Sequence, residues 1–527
     1  LGYTHKHDLF FRDETFVTEK RVKRAKARSE QDSKATTVRS PSNSSSSTPS
    51  STTIYIPRSL TEPLADLAVN VLFANLIFQP RHPGFSRGVL DFLPELYAQS
   101  PETSALSYAT KATALAAFGN VAGQTKDTLS PLAWRTYGCA LSELNAALAD
   151  PLLARRNETL MTVVLFCLAE SLLIPTSTKP TSSSPSPTIS HIDGAVSLLK
   201  LRSSSLPSPS PLSTLLYLFI RTSTIIDRIS RSLPLDPFFH SPVTGWQSPL
   251  PVPLSNPATL LTSYTLLVPA LRARAAALLS QSRTQWNIFA VRTLLREVRS
   301  VDRLLSTWPE TLPDSWQYTA VSRACWVASP TNTQIPEEYS HALYPGTQDE
   351  YQDIWLAAVW NSYRVARLFL NALVVRCAGW LRAGGDGNDE NKEAECTIQE
   401  LVDDVCSSVS FFLGGARGQL PRELRVEDLA PSNPISPHHA TSAAMHGYFL
   451  LWPLFVCRSA TSIPASQRGF LRNRMLEIAV RGGVQQARGL VELGDMEAGR
   501  PLYSKRWEKG GLERGWECNG GLVGSGL

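Results

Sequence analysis

The sequence predicts an all-α protein: a large irregular multi-helix domain, with a disordered N-terminal arm and linker and a disordered C-terminal tail. Three observations carry this expectation. From about residue 57 to about residue 494, apolar side chains recur at steps of three and four, the spacing that lays one stripe along a helix. Alternating runs of the strand kind are scarce. Residues 29–53 (SEQDSKATTVRSPSNSSSSTPSSTT) hold hardly an apolar side chain, so they cannot offset the entropy of becoming ordered. Of the 527 residues, 43% are hydrophobic and 18% charged, so most of the chain folds, into one large core or two ordinary ones.

In chain order, residues 1–28 form a charged N-terminal segment and 29–56 a Ser/Thr-rich disordered linker. Residues 57–495 form the helical domain, with its seam at 232–258 if it has two lobes, and 496–527 a Gly-rich tail. Helices are expected at 62–79, 87–98 and 103–118. The next starts at Ser130, a capping side chain before Pro131, and places Trp134, Tyr137, Leu141, Leu144 and Leu148 on one stripe before Asp150-Pro151 ends it. Helices at 157–174, 190–202, 211–231 and 256–281 come after it. A helix from Ile288 sets Val291, Leu294, Leu295, Val298, Val301, Leu304 and Leu305 on one side, with Arg292, Arg296, Arg299 and Arg303 on the other. Glu297 and Asp302 lie among those arginines, so the row reads as a solvated outer face rather than a phosphate grip. The remaining helices are expected at 350–381, 395–413, 438–459 and 465–494. Breaks are expected at 175–190, 203–211, 232–258, 329–348, 383–394 and 414–437. No fixed-period repeat is present, which argues against a regular solenoid.

Composition and motifs bound the chemistry. Eight cysteines stand singly, without a C-x-x-C pair, several inside apolar helical patterns such as Cys167 and Cys377. They read as small core residues in a reducing compartment. The N-terminal stretch is too polar for a secretory signal, and Glu170 and Arg376 interrupt the longest apolar runs, so a soluble intracellular protein with no membrane partner is expected. No nucleophile elbow, phosphate loop, H-E-x-x-H or dinucleotide fingerprint occurs. His438, His439 and His446 lie close together, but no cysteine or carboxylate joins them at ligand spacing, so they read as ordinary histidines near a helix start. Asp403-Asp404 could hold magnesium, yet Ser407 stands where a third carboxylate would be needed, so a solvated acidic turn is expected. The acidic stretch 386–395 (DGNDENKEAE) lacks the glycine of a calcium loop and reads as an exposed connector. No catalytic residue, no metal ligand and no cofactor are therefore assigned, and the chain is not expected to be an enzyme.

The densest charge lies at Lys20, Arg21, Lys23, Arg24, Lys26 and Arg28, with no acid among them. The chain holds 51 basic and 46 acidic side chains; without these six, 45 stand against 46, so the positive excess is local. On a helix, Lys20, Arg24 and Arg28 share one face with Lys23 beside them. Such a cluster suits DNA phosphates or the acidic groove of a nuclear import receptor. It lacks the base-reading side chains that sequence-specific binding requires.

Several blocks, in this order, carry a resemblance. Gly2-Tyr3 is followed by Leu9, Phe10, Phe11, Arg12, Asp13, Glu14 and Thr15, then by the basic run from Lys20 to Arg28. Further on stand GVLDFLPELY (88–97), LSYATKATALAAFGN (106–120), YGCALSELNAALADP (137–151) and HIDGAVSLLKLR (191–202). WPETLPDSWQY (308–318), YQDIWLAAVWNSYRVARLFL (351–370) and GYFLLWPLFVC (447–457) complete the series. The chain resembles, over nearly its whole length, the fungal transcription factors that join an N-terminal zinc binuclear cluster to a helical fungal-specific transcription factor domain. Trp360, Tyr363 and Arg367 in one of those blocks are also core or near-core positions on physical grounds.

The resemblance implies a transcriptional regulator of the nucleus, with residues 57–495 as the helical regulatory domain and residues 1–28 as the remnant after a zinc cluster. Zinc is implied for the family, but the six ligand cysteines are not in this chain, and a truncated start is the expected reason. DNA would then be read by the missing module, with weak phosphate contact from the basic arm. A nuclear import receptor, the transcription machinery and a second copy of the chain are the other partners so implied. The alternative is a helical interaction scaffold that has lost DNA binding.

Overall fold

The computed structural model describes residues 64–76, 89–121, 126–173, 187–203, 210–240, 257–321, 347–382, 390–413, 437–460, 462–481 and 483–496. The basic arm, the linker, residues 241–256 of the seam and the tail lie outside them. Helices dominate: α1 (Leu64–Leu76), a 3-10 turn (Val89–Phe92), α2 (Leu93–Gln99), α3 (Ala105–Val121), α4 (Lys126–Ala149), α5 (Asn157–Leu173), α6 (Pro187–Ser203) and α7 (Pro211–Arg231). They continue as α8 (Pro257–Thr265), α9 (Val268–Leu279), α10 (Gln285–Ser306), α11 (Ile354–Arg382), α12 (Glu390–Leu413), α13 (Pro437–Arg458), α14 (Ala465–Arg481) and α15 (Gln486–Met496). Between α10 and α11 a short antiparallel pair, β1 (Thr319–Val321) and β2 (Gln348–Glu350), aligns Ala320 with Asp349. The all-α expectation is borne out.

Two helices organise the core. In α5 every side chain from Thr159 to Leu173 is buried, with α3, α4, α6 and α7 packed round it. The 29-residue α11 spans about 44 Å and packs on α9, α10, α12 and α13. One hydrophobic cluster runs from Ala68 in α1 to Val491 in α15. Early and late described helices meet: α1 packs on α13, and the Asn120 amide donates to the Leu172 and Gly483 carbonyls, both at 2.8 Å. Gly483 has φ +66°, and a Cβ there would sit 2.5 Å from Asn120 Cβ. Cys167, Cys377, Cys406 and Cys457 are free thiols inside this core, while Cys139 and Cys396 are exposed.

Several boundaries differ from the sequence expectation. Helix α4 starts at Lys126 rather than at Ser130, so Pro131 lies inside it. Its missing N–H falls on the exposed side, where water can satisfy the carbonyl one turn back. The expected helix at 256–281 is two, α8 and α9, divided just before Pro269. That at 350–381 begins at Ile354, after Glu350 has joined a strand, and the Asp353 carboxylate accepts from Leu356 N–H at 2.8 Å. The segment 87–98 is a 3-10 turn followed by α2, and 465–494 divides into α14 and α15. The acidic connector 386–395 is helical from Glu390 onward, as the first turns of α12.

Candidate functional site

The guanidinium of Arg364, in the first half of α11, is fully buried. Nη1 donates to Tyr351 Oη at 2.6 Å and to Asn361 Oδ1 at 3.0 Å, and Nη2 donates to Asp349 Oδ2 at 2.9 Å. Nε lies 3.7 Å from Asp404 Oδ2. The rings of Tyr318, Trp360 and Tyr351 surround the cation, with centroids 5.1, 5.8 and 6.0 Å away. Burial opposes its charge, but the oxygens of Tyr351, Asp404, Tyr318 and Asp349 outweigh it and hold the guanidinium above its ordinary value. The Tyr351 hydroxyl, itself pushed up by burial, donates to Asp349 Oδ2 at 2.9 Å. Asn361 donates to Ser408 Oγ at 3.0 Å. One arginine on α11 thereby joins β2, the aromatic cage and α12. Charge, hydrogen bonds and ring faces are all satisfied, so the arrangement is a structural lock, with the position between two carboxylates already filled by a cation.

This bears on Asp403 and Asp404. They are not a solvated turn: both lie inside α12 and are partly buried. Asp403 Oδ1 accepts from Gln399 Nε2 at 2.9 Å and from Gln467 Nε2 at 2.6 Å, which ties α12 to α14. Asp404 faces Arg364 instead. The two carboxylates therefore diverge toward different partners. His446 is half-buried, and its Nδ1 lies 3.1 Å from the Phe412 carbonyl oxygen, while the side chains of His438 and His439 fall outside the described residues. Among the described residues, no three His, Cys, Asp or Glu side chains converge as a metal-holding group. They offer no ligand set for the zinc cluster that the resemblance implies.

A second buried cluster was not legible in the sequence. Glu170 of α5, His191 of α6 and Tyr137 of α4 meet in the core. Tyr137 Oη donates to Glu170 Oε1 at 2.7 Å, and His191 Nε2 lies 2.9 Å from the same oxygen. A histidine beside a carboxylate is the start of a proton relay. Here Nε2 lies between the Glu170 carboxylate and the Tyr137 hydroxyl, the latter at 3.2 Å, and His191 Nδ1 makes no hydrogen bond. The trio ties three helices. Arg202 on α6 plays a similar part: it is buried, and Nη2 donates to Asn157 Oδ1 and, at 3.1 Å, to Ser213 Oγ. Burial pushes it down to about 10, with Glu158 opposing.

The arginine row of α10 does form an outer face, with Arg292, Arg296 and Arg303 exposed. The acids among them turn to other helices: Glu297 pairs with Arg274 of α9, and Asp302 with Arg367 of α11 at 2.9 and 3.1 Å. The basic cluster Lys20, Arg21, Lys23, Arg24, Lys26 and Arg28 lies outside the described residues. No described helix is long and apolar enough to cross a membrane.

No protein-family model matches the chain, and no solved structure matches it. The chain is 24% identical over 434 residues to the protein named transcription factor dbaG of Emericella nidulans, an alignment that covers 82% of this chain and 91% of that one. What this chain resembles along most of its length is therefore a fungal transcription factor.

Proposed function

We propose that this chain is the helical regulatory and partner-binding region of a nuclear transcriptional regulator of the fungal zinc-cluster type, and that it carries no catalysis. The observation behind the reading is the likeness to transcription factor dbaG over 82% of the chain. The character of the buried polar groups supports it: Arg364, Glu170, His191 and Asp403 are engaged with neighbouring elements of the fold. A regulatory body needs a rigid frame with a readable surface, whereas an enzyme needs convergent reactive groups open to substrate.

In this reading, bases are contacted by a zinc module, and the cluster from Lys20 to Arg28 adds phosphate affinity and engages an import receptor. Tethering residues 57–495 to a reporter promoter through an unrelated DNA-binding domain tests the regulatory role. Transcription is expected to change several-fold, and an unchanged reporter with the fusion folded and nuclear overturns it. The arm has its own readout. Alanine at Lys20, Arg21, Lys23, Arg24, Lys26 and Arg28 is expected to abolish weak duplex binding by the purified chain. The parent chain's log affinity against log salt should fall with a slope of about −0.9 per phosphate contacted.

A further inference from the structure

We propose that the outer face of α10 is a docking surface for an acidic amphipathic segment of a partner protein, one with carboxylates along one side and large apolar side chains at one end. The proposal does not depend on the transcriptional reading. Among the described residues, eight large hydrophobic side chains are exposed, and Trp286, Phe289 and Leu304, all on α10, are three of them. Trp286 and Phe289 are the two aromatic ones, 77% and 61% exposed, with ring centroids 6.5 Å apart, so they form one patch.

The same face carries the cations. Steps of three, four and seven from Phe289 lead through Arg292 and Arg296 to Arg303, all exposed. At 3.6 residues per turn these positions make one stripe about 21 Å long. Glu297 and Asp302 would ordinarily neutralise such a row, but each is paired with an arginine of another helix. Arg296 donates to Thr293 Oγ1 at 3.2 Å and also feels Glu297, whose bidentate partner is Arg274. The stripe is therefore positive although acids alternate with it in the sequence.

The helix beneath is held still. Val291, Leu294, Val298 and Leu305 are fully buried on the opposite side, and Thr284 Oγ1 caps the start by accepting from Asn287 N–H at 3.2 Å. Arg283 fixes the same end by donating to the Leu381 carbonyl at 2.7 Å. A preorganised face loses little entropy on binding. Charge complementarity selects an anionic partner, and the aromatic patch selects among anions. A duplex backbone offers phosphates to the arginines but no apolar surface to Trp286 and Phe289. An amphipathic acidic peptide matches both halves, in the helix-on-face manner of anchors spaced by three, four and seven residues.

The test uses the purified full chain and a fluorescently labelled synthetic helix of about 20 residues. The peptide carries glutamates at i, i+4, i+7 and i+11 and a Leu-Phe pair at one end. Fluorescence anisotropy is expected to give micromolar binding. A weakening of about tenfold or more is expected in Arg292→Glu/Arg296→Glu/Arg303→Glu and, separately, in Trp286→Ala/Phe289→Ala. All five side chains are exposed, so both variants should keep the parent circular dichroism. The charge-reversed variant should gain affinity for a lysine version of the peptide, which loss of folding cannot produce. Failure of the parent chain to bind the acidic peptide overturns the proposal. So does tighter binding of a 20-nucleotide single- or double-stranded DNA that needs the same arginines.

Discussion

At Arg364 the guanidinium and the Asp349 carboxylate are both withdrawn from water, so removing one leaves the other as a buried bare charge. Arg364→Met is expected to cost about 3–5 kcal/mol in urea denaturation, and Arg364→Met/Asp349→Asn less than the sum of its two singles. Burial holds the His446 imidazole below its ordinary value, against the help of the Phe412 carbonyl. The unfolded chain takes up a proton there as pH falls through about 6.5 while the folded chain resists it. His446 therefore contributes stability above that range and loses it below, and His446→Asn should flatten the fall in urea midpoint between about pH 7.5 and pH 5. The long-range halves of these pairs are what the sequence hides. Arg364 was legible only as part of a helix, because its partner Asp349 sits on a strand too short to show an alternating pattern. Asp403 and Asp404 looked solvated for the same reason: Gln467 and Arg364, which engage them, are distant in sequence.

At the scale of the element, the helices themselves were legible and their edges less so. Helix α10 shows why: Val291, Leu294, Leu295, Val298, Val301 and Leu305, recurring at steps of three and four, are all buried and left no second reading. Its cap is testable. Thr284→Ala is expected to cost about 1 kcal/mol, and Thr284→Asp to cost little, as read by thermal melting. Helix α4 misled because its buried line is Leu129, Ala133, Tyr137, Ala140 and Leu144. Trp134, Leu141 and Leu148, the larger side chains that mark the period, are only half-buried. Alanines let α4 approach α3, where Ala109, Ala112 and Ala116 are also buried, and a count weighted toward bulky residues overlooks such a seam. The Ser130-Pro131 pair then suggested a start that the backbone had already passed.

At the scale of the whole described fold, its early helices pack on its late ones. Asn120, near the end of α3, holds Gly483, 363 residues further along the sequence. Gly483→Ala would place a methyl group against Asn120 at a positive φ, and a loss of about 1–3 kcal/mol is expected in thermal melting. Deleting residues 465–527 should uncover Gly447 of α13, where an added Cβ would lie 2.8 Å from Ile478 Cγ2, and the loss of helicity is expected to reach α1 and α3. A truncated chain that keeps the parent ellipticity per residue would show instead that the two ends fold apart. The burial of four of the six described cysteines has a practical consequence. Desolvation raises the Cys167, Cys406 and Cys457 thiols and pushes Cys377 up to about 11, so little nucleophilic thiolate exists behind the packed helices. A maleimide should modify Cys139 and Cys396 at once, and Cys167, Cys377, Cys406 and Cys457 only as fast as the fold opens. The label found on peptides that hold Cys167, Cys377, Cys406 and Cys457 after a timed quench then reads out what fraction of the protein has opened.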